Sequence, residues 1–285
     1  MASISSAVAF DDSCVSTPHP QKRREDIEHE EFEWIAMKKR ITGLVKRVSI
    51  SNIRFIADEI LKENVISGRG LFCQAIMKSQ MGFPQFSNVY AALVAIINSR
   101  FPDVGLLLVK RVVAQFKEAY EWGNKKLKRD TLKFLAHLAN QTVVYEVLAV
   151  DILMLLLGNP SLDNIEVAVN FCIECGSLLQ NSVPHIWKEV LGEFRRRKRE
   201  VEMHVKGLIV KLFAVGRSKF KKYPSVIDEL DLVEVEDQVT HVVSLLHDTD
   251  PEYSVDNFEV NTEFDDMSSQ IMVPCEESED DEASS

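Results

Sequence analysis

Apolar residues recur along residues 28–223 at steps of three and four, and short polar or Gly/Pro-containing breaks separate the runs. After "FPDVG", Val104, Leu107, Leu108, Val112, Phe116 and Tyr120 fall on one side of a helix, with Lys110, Lys117 and Glu118 mostly elsewhere around it. Leu127, Thr131, Phe134, Leu135 and Leu138 repeat that pattern. The spacing predicts about ten helices in a row. They begin with Phe32–Val48, Ile53–Glu63 and Leu71–Ser79, and pass through the three segments around Val89–Ser99, Val104–Tyr120 and Leu127–Leu138. Val144–Leu157, Ile165–Leu179, Trp187–Arg197 and Val201–Ala214 complete the series. "SISN" offers N-caps for the second helix, Ser87 a cap for the fourth, and Pro102 sits where a first helical turn tolerates proline.

"VYAALVAIINS", residues 89–99, carries no charge and is apolar on almost every side. It is shorter than the ~20 residues of a membrane span. The other long apolar run, Val147–Leu157, contains Asp151. A buried strand is usually shorter, and no period-two neighbours exist to pair with it. Helices apolar over more than half their circumference are expected where antiparallel pairs stack in a row and each inner helix touches several partners. The fold class read from the pattern is all-α, a solenoid of degenerate HEAT-like helical hairpins of roughly 35–45 residues each.

Charge divides the chain. No Lys or Arg follows Lys222, and 20 of the 44 Asp and Glu lie in residues 223–285, leaving 24 against all 33 Lys and Arg in residues 1–222. A basic body therefore carries an acidic tail, and the formal net charge of −11 describes neither. Four parts follow: residues 1–27, expected to be disordered; a helical domain over 28–226; an acidic strap or linker over 227–267, whose apolar residues suit lying along the helices; and a disordered acidic end over 268–285. The start lacks the basic n-region of a secretory signal. Five widely scattered cysteines suit reduced thiols. The reading is a soluble intracellular protein.

Catalytic constellations are absent: the seven histidines are dispersed, and no HExxH, GxSxG or phosphate loop occurs. "CIEC" (Cys172, Cys175) has metal-ligand spacing but lies within a helix without a second pair, which favours core cysteines. "SGRGL" (Ser67–Leu71) is a break between helices, with no preceding strand to make it a phosphate cradle. No metal or cofactor is called for. The basic runs are Lys38, Lys39, Arg40, Lys46 and Arg47 on the first helix, Lys22, Arg23 and Arg24 ahead of it, and Arg195, Arg196, Arg197, Lys198 and Arg199 at the end of another. Such runs are solvated faces, nuclear-import signals, or a surface for RNA or an acidic partner. The acidic tail could also fold back and screen this surface.

"ITGLVKRVSISN", "GRGL", "VYAALVAIINSRFP", "KFLAHLANQTVVYEVL", "IEVAVNFCIECGSLL" and "LDLVEVEDQVTH" occur in this order with close spacing. Together they resemble the middle domain of eukaryotic initiation factor four gamma, the MIF-four-G fold, and specifically its spliceosomal Cwc-twenty-two branch, over about residues 30–265. The resemblance implies a crescent of HEAT-like helix pairs. It also implies a partner, the DEAD-box RNA helicase of the exon junction complex, whose two RecA-like lobes the solenoid holds apart before delivery to spliceosomes. A ligand that binds only the open state lowers the closed population by its differential affinity. In the family the helicase contact includes a glycine and an Asn–Lys pair, which here read Gly43, Lys46 and Arg47. Lys46 departs from the family asparagine. The family continues from the acidic linker into an MA-three domain, whereas this sequence stops in the linker, as a short paralogue, an isoform or a gene fragment would.

The resulting expectation is a non-enzymatic adaptor of pre-mRNA splicing in the nucleus, at spliceosomes and speckles, with the cytoplasm as a second compartment and no membrane. Rival readings are a short paralogue that sequesters the helicase, a translation-type scaffold of the same fold, and a module that binds RNA through its basic face.

Overall fold

The computed structural model describes residues 20–246 and 250–258. Two compact units divide the chain: Ala36–Asn257, and Met1–Ile35 with Phe258–Ser285. Among the described residues the α-helices are α1 (Pro20–Lys46), α2 (Ile53–Leu61), α3 (Arg69–Gly82), α4 (Ser87–Arg100), α5 (Pro102–Glu121), α6 (Lys125–Asn140), α7 (Glu146–Gly158), α8 (Leu162–Ser182), α9 (Pro184–Arg197) and α10 (Met203–Arg217). The described residues contain no strand, and an isolated parallel bridge joins Val144 to His241. No described helix is long and apolar enough to cross a membrane.

Within the larger unit the even-numbered helices form one continuous row, each packing on the next from α2 to α10. The odd-numbered helices lie beside it, with α3 against α5 and α7 against α9. This arrangement answers the uncharged stretch at residues 89–99. It is α4, an inner helix that packs on α2, α5 and α6 and buries Val89 to Ala95, Ile97 and Asn98. Helices with neighbours on one side keep a polar face instead, as α2 does by burying only Ile53, Ile56, Ala57 and Ile60.

Several local expectations differ from the structure. α1 starts at Pro20 rather than Phe32, so part of the segment expected to be disordered is helical. Its added turns, "QKRREDIEHEE", lack an apolar stripe, but Gln, Lys, Arg and Glu are strong helix formers and extend a helix without burial. The remaining calls of disorder, at residues 1–19 and 268–285, lie outside the described residues. Asn52 precedes α2 but does not cap it. Its side-chain carbonyl accepts from the Ser49 amide at 2.7 Å and its amide donates to the Arg47 carbonyl at 2.9 Å, which closes the α1–α2 turn instead. Ser87 likewise donates to the Pro84 carbonyl (2.7 Å) and accepts from Gln80 (3.0 Å) rather than capping α4. By contrast, Asn124 and Ser161 accept from backbone amides at the starts of α6 and α8.

After α10 the chain turns at Phe220, whose ring is buried against Trp187 (centroids 5.9 Å apart) and occupies the space a side chain on Gly176 would need. Residues 227–246 and 250–257 then run back along the helices without α-helix of their own. Leu230 is buried on this path and its carbonyl accepts from Gln141 at 3.1 Å. The His241 amide donates to the Val143 carbonyl (3.0 Å), and the Tyr145 amide to the His241 carbonyl (3.1 Å). Asn98 holds the strap from below, donating to the Val239 carbonyl (2.6 Å) and meeting His241 Nε2 through its Oδ1 (2.7 Å). α5 crosses close enough that a side chain on Gly105 would collide with that Asn98 carboxamide.

Arg111 of α5 completes the attachment. It is only 1% exposed. Its Nε and Nη2 donate to the carbonyls of Pro251 and Glu252, both at 2.8 Å, Nη1 lies 2.7 Å from the Asp256 carboxylate, and Tyr253 covers the guanidinium at 5.3 Å. A buried guanidinium needs this many partners because desolvation costs several kcal/mol unless hydrogen bonds and an opposite charge compensate. Lys110 adds a partly exposed pair to Glu252 at 2.9 Å. The strap therefore closes on its own domain by long-range polar contacts.

Candidate functional site

α1 turns Met37, Ile41 and Val45 inward, at i, i+4 and i+8. The 100° advance per residue then places Gly43 on the opposite face, flanked by Lys39, Lys46 and Arg47 at one turn before and after. Lys39 and Lys46 are exposed and form no ion pair among the described residues. Arg47 is exposed too, but its Nε donates to the Gly43 carbonyl at 3.1 Å, one of the acceptors a helix end leaves without a partner. A Cβ built on Gly43 meets nothing within 4 Å. Nothing in the packing of the described residues therefore requires glycine there.

The adjoining turn is rigid. Asn52 links its two ends, and the hydroxyls of Ser49 and Ser51 lie 3.1 Å apart. Ile50 in this turn and Phe55 on α2 are exposed apolar side chains. The structure thus places Gly43, Lys46 and Arg47 on one face of α1 together with Lys39, which the sequence reading named only within a basic run, while Ile50 and Phe55 are exposed in the turn and helix that follow and were not singled out. Helical spacing reveals Lys39 once Gly43 is chosen. The outward side of Phe55 is legible from Ile53, Ile56 and Ile60 taking the inner one.

The other nominated residues separate. The side chains of Lys22 and Arg23 lie outside the described residues, and Arg24 pairs with Glu28 at 3.3 Å on an exposed face. The run Arg195–Arg199 is not a single surface. Arg196 and Arg197 share Glu193, and Arg197 also donates to the Leu157 carbonyl at 3.1 Å. Arg195 instead lies over the Phe213 ring at 5.5 Å.

Cys172 and Cys175 are buried in α8, and burial pushes both thiols up, so neither offers a thiolate. Burial also pushes Cys73 up to about 12. No group of three or more His, Cys, Asp or Glu suited to a metal occurs among the described residues. Gly70 of the "SGRGL" break makes room for the strap, since a side chain there would collide with Val255 and Asp256.

Even-row and odd-row helices in stacked pairs define an all-α helical-hairpin domain. The MIF4G domain matches residues 38–224, and the chain belongs to that family. Among curated proteins it is 40% identical over 243 residues to the pre-mRNA-splicing factor CWC22 homolog of Homo sapiens, covering 85% of this chain and 27% of that protein. The CWC22 homolog of Caenorhabditis elegans is 40% identical over 245 residues, and cwc22 of Aspergillus fumigatus 39% over 240, each covering 84% of this chain and 27% of the relative. The chain thus spans about a quarter of the length of the curated relatives it matches.

Proposed function

We propose that this chain is a non-enzymatic pre-mRNA splicing adaptor that binds the DEAD-box helicase of the exon junction complex through the outward face of α1 around Gly43, Lys46 and Arg47. In this reading it holds the two helicase lobes apart, so that the ATP and RNA sites are not assembled until the helicase is delivered to spliceosomes in the nucleus. The observation that carries the reading is Gly43: a glycine inside a helix, with open space where its side chain would be, on a face of cations. Glycine in a helix interior costs about 0.5–1 kcal/mol relative to alanine, and close approach of a partner backbone is a reason to retain it. Similarity to proteins named as CWC22 splicing factors supports the choice of partner.

Lys46 replaces a neutral donor and acceptor of the family pattern by a second cation, which fits a partner surface carrying a carboxylate and weakens one carrying a cation. The test is a pull-down of the purified helicase together with its RNA-stimulated ATPase rate. Binding with suppressed ATPase is expected, and Gly43→Tyr abolishes both while leaving the helical circular dichroism unchanged. Equal binding by Gly43→Tyr and wild type rules out this site. Binding without association with spliceosomes supports the sequestering version of the function. Steep loss of binding to RNA alone with rising salt points to the nucleic-acid reading instead.

A further inference from the structure

α9 and α10 both pack on α8, and between them lies a cleft of about 440 Å³. Its floor is apolar and includes Trp187, Val210 and Phe213, and Val210 is 44% exposed. Three cations stand at its rim: Arg195 in the last turn of α9, Lys198 just past its end, and Arg217 from the last turn of α10. None of the three forms an ion pair among the described residues, whereas the neighbouring Arg196 and Arg197 share Glu193. Arg195 and Lys198 line the cleft, while the two arginines between them are engaged by Glu193. Arg217 is remote in sequence from the "RRRKR" run and joins Arg195 and Lys198 only because α10 folds back beside α9.

Besides the chain's own acidic tail, two classes of partner carry negative charge to such a place, and the floor distinguishes them. Single-stranded nucleic acid binds by stacking bases on open aromatic faces. Here Trp187 is buried with its ring against Phe220, and the Arg195 guanidinium covers the Phe213 ring at 5.5 Å. Both aromatic faces are already taken. An apolar floor open beside Val210, ringed by unpaired cations, instead complements an acidic peptide that carries an apolar side chain: the side chain leaves water on the floor, and the carboxylates complete the rim.

We infer that the α9–α10 cleft docks an acidic segment of a partner protein, with an apolar side chain on Val210 and carboxylates on Arg195, Lys198 and Arg217. This site is independent of the helicase reading at α1, and each can fail alone.

The experiment probes the full chain with an array of twelve-residue peptides in which an Asp/Glu frame holds one apolar residue, varied in kind and position. The strongest binder is then measured by fluorescence anisotropy. It is expected to lose about tenfold or more in affinity to the double variant Arg195→Glu/Arg217→Glu, as reversed charges at a docking rim do. A comparable loss is expected with Val210→Asp, and no change with Gly43→Tyr. Lys198→Glu, just past the end of α9, gives a second reading of the rim should the double variant lose its helical circular dichroism. Failure of every peptide to bind overturns the proposal. Equal binding of an acidic peptide without the apolar residue also overturns it, because that outcome needs only charge. Displacement of the peptide by a single-stranded RNA oligonucleotide, with that RNA binding abolished by the same double variant, overturns it in favour of a nucleic-acid site.

Discussion

The seat of the strap and the outer face of α1 are both built around glycines within helices, for opposite reasons. Gly70 and Gly105 have no side chain because the molecule itself fills the space, with Val255 and Asp256 over the first and the Asn98 carboxamide over the second. At Gly43 no described residue fills that space. Charge follows the same division. Arg111 is engaged by the Pro251 and Glu252 carbonyls, the Asp256 carboxylate and the Tyr253 ring of the strap, and by the Gly70 carbonyl of α3, while Lys39 and Lys46 face solvent without an ion pair among the described residues. The strap seat is an interface completed within the chain. The α1 face has the makings of an interface that is not.

The largest expected effect comes from Arg111→Ala. It leaves the Asp256 carboxylate and the Pro251 and Glu252 carbonyls without their buried partner, and breaking a buried pair in this way costs about 3–5 kcal/mol. Thermal unfolding should show the loss, and hydrogen exchange should show the strap at residues 250–257 open first. A fall in stability without added exchange there would mean that the strap is held by other contacts.

Gly105→Val should cost less, about 1–3 kcal/mol as overpacking does, and act through Asn98 on the strap near residues 239–241. Full exchange protection of that stretch in the variant would break the link between glycine and strap.

His241 makes the same contact dependent on pH. Burial holds its imidazole below the ordinary 6.5, with the charge of Asp103 acting in the opposite direction. The unfolded chain therefore takes up the proton first as pH falls, so the stability contributed by neutral His241 is complete above about 6.5 and is lost as pH drops below it. His241→Gln should flatten that part of the stability–pH curve, and an unchanged curve would remove His241 from the account.

The smallest effect should have the opposite sign. With open space at Gly43, Gly43→Ala should stabilise the isolated chain by about 0.5–1 kcal/mol. A destabilised Gly43→Ala would show that this glycine serves the fold and would erase its contrast with Gly105.

Much of the helix order is legible because burial imposes a period on the residues it selects. α4, α5 and α6 lie where the steps of three and four place them. The beginning of α1 is not legible in this way, because a helix held by propensity alone leaves no apolar stripe. Asn52 and Ser87 have the side chains of caps, but caps and turn closures draw on the same hydrogen-bonding groups, and only the path of the backbone selects between them. The "RRRKR" run reads as one patch in sequence, yet a helix points consecutive residues in different directions. Glu193 takes two of its arginines, and Arg195 turns toward Phe213.

The all-α class, the stacking of helices with apolar sides, the charge division and the family are determined by the sequence by itself, since each rests on local period, composition or ordered motifs. Tertiary structure alone decided that Arg111, a cation in an amphipathic helix, is buried as the clasp of a strap about 140 residues further on. It also decided that Gly43 is open while Gly105 is filled, and that Arg217 joins Arg195 and Lys198 at one cleft. The reason is that burial and pairing depend on distance in space, and chain closure over more than a hundred residues leaves no periodic mark on the sequence.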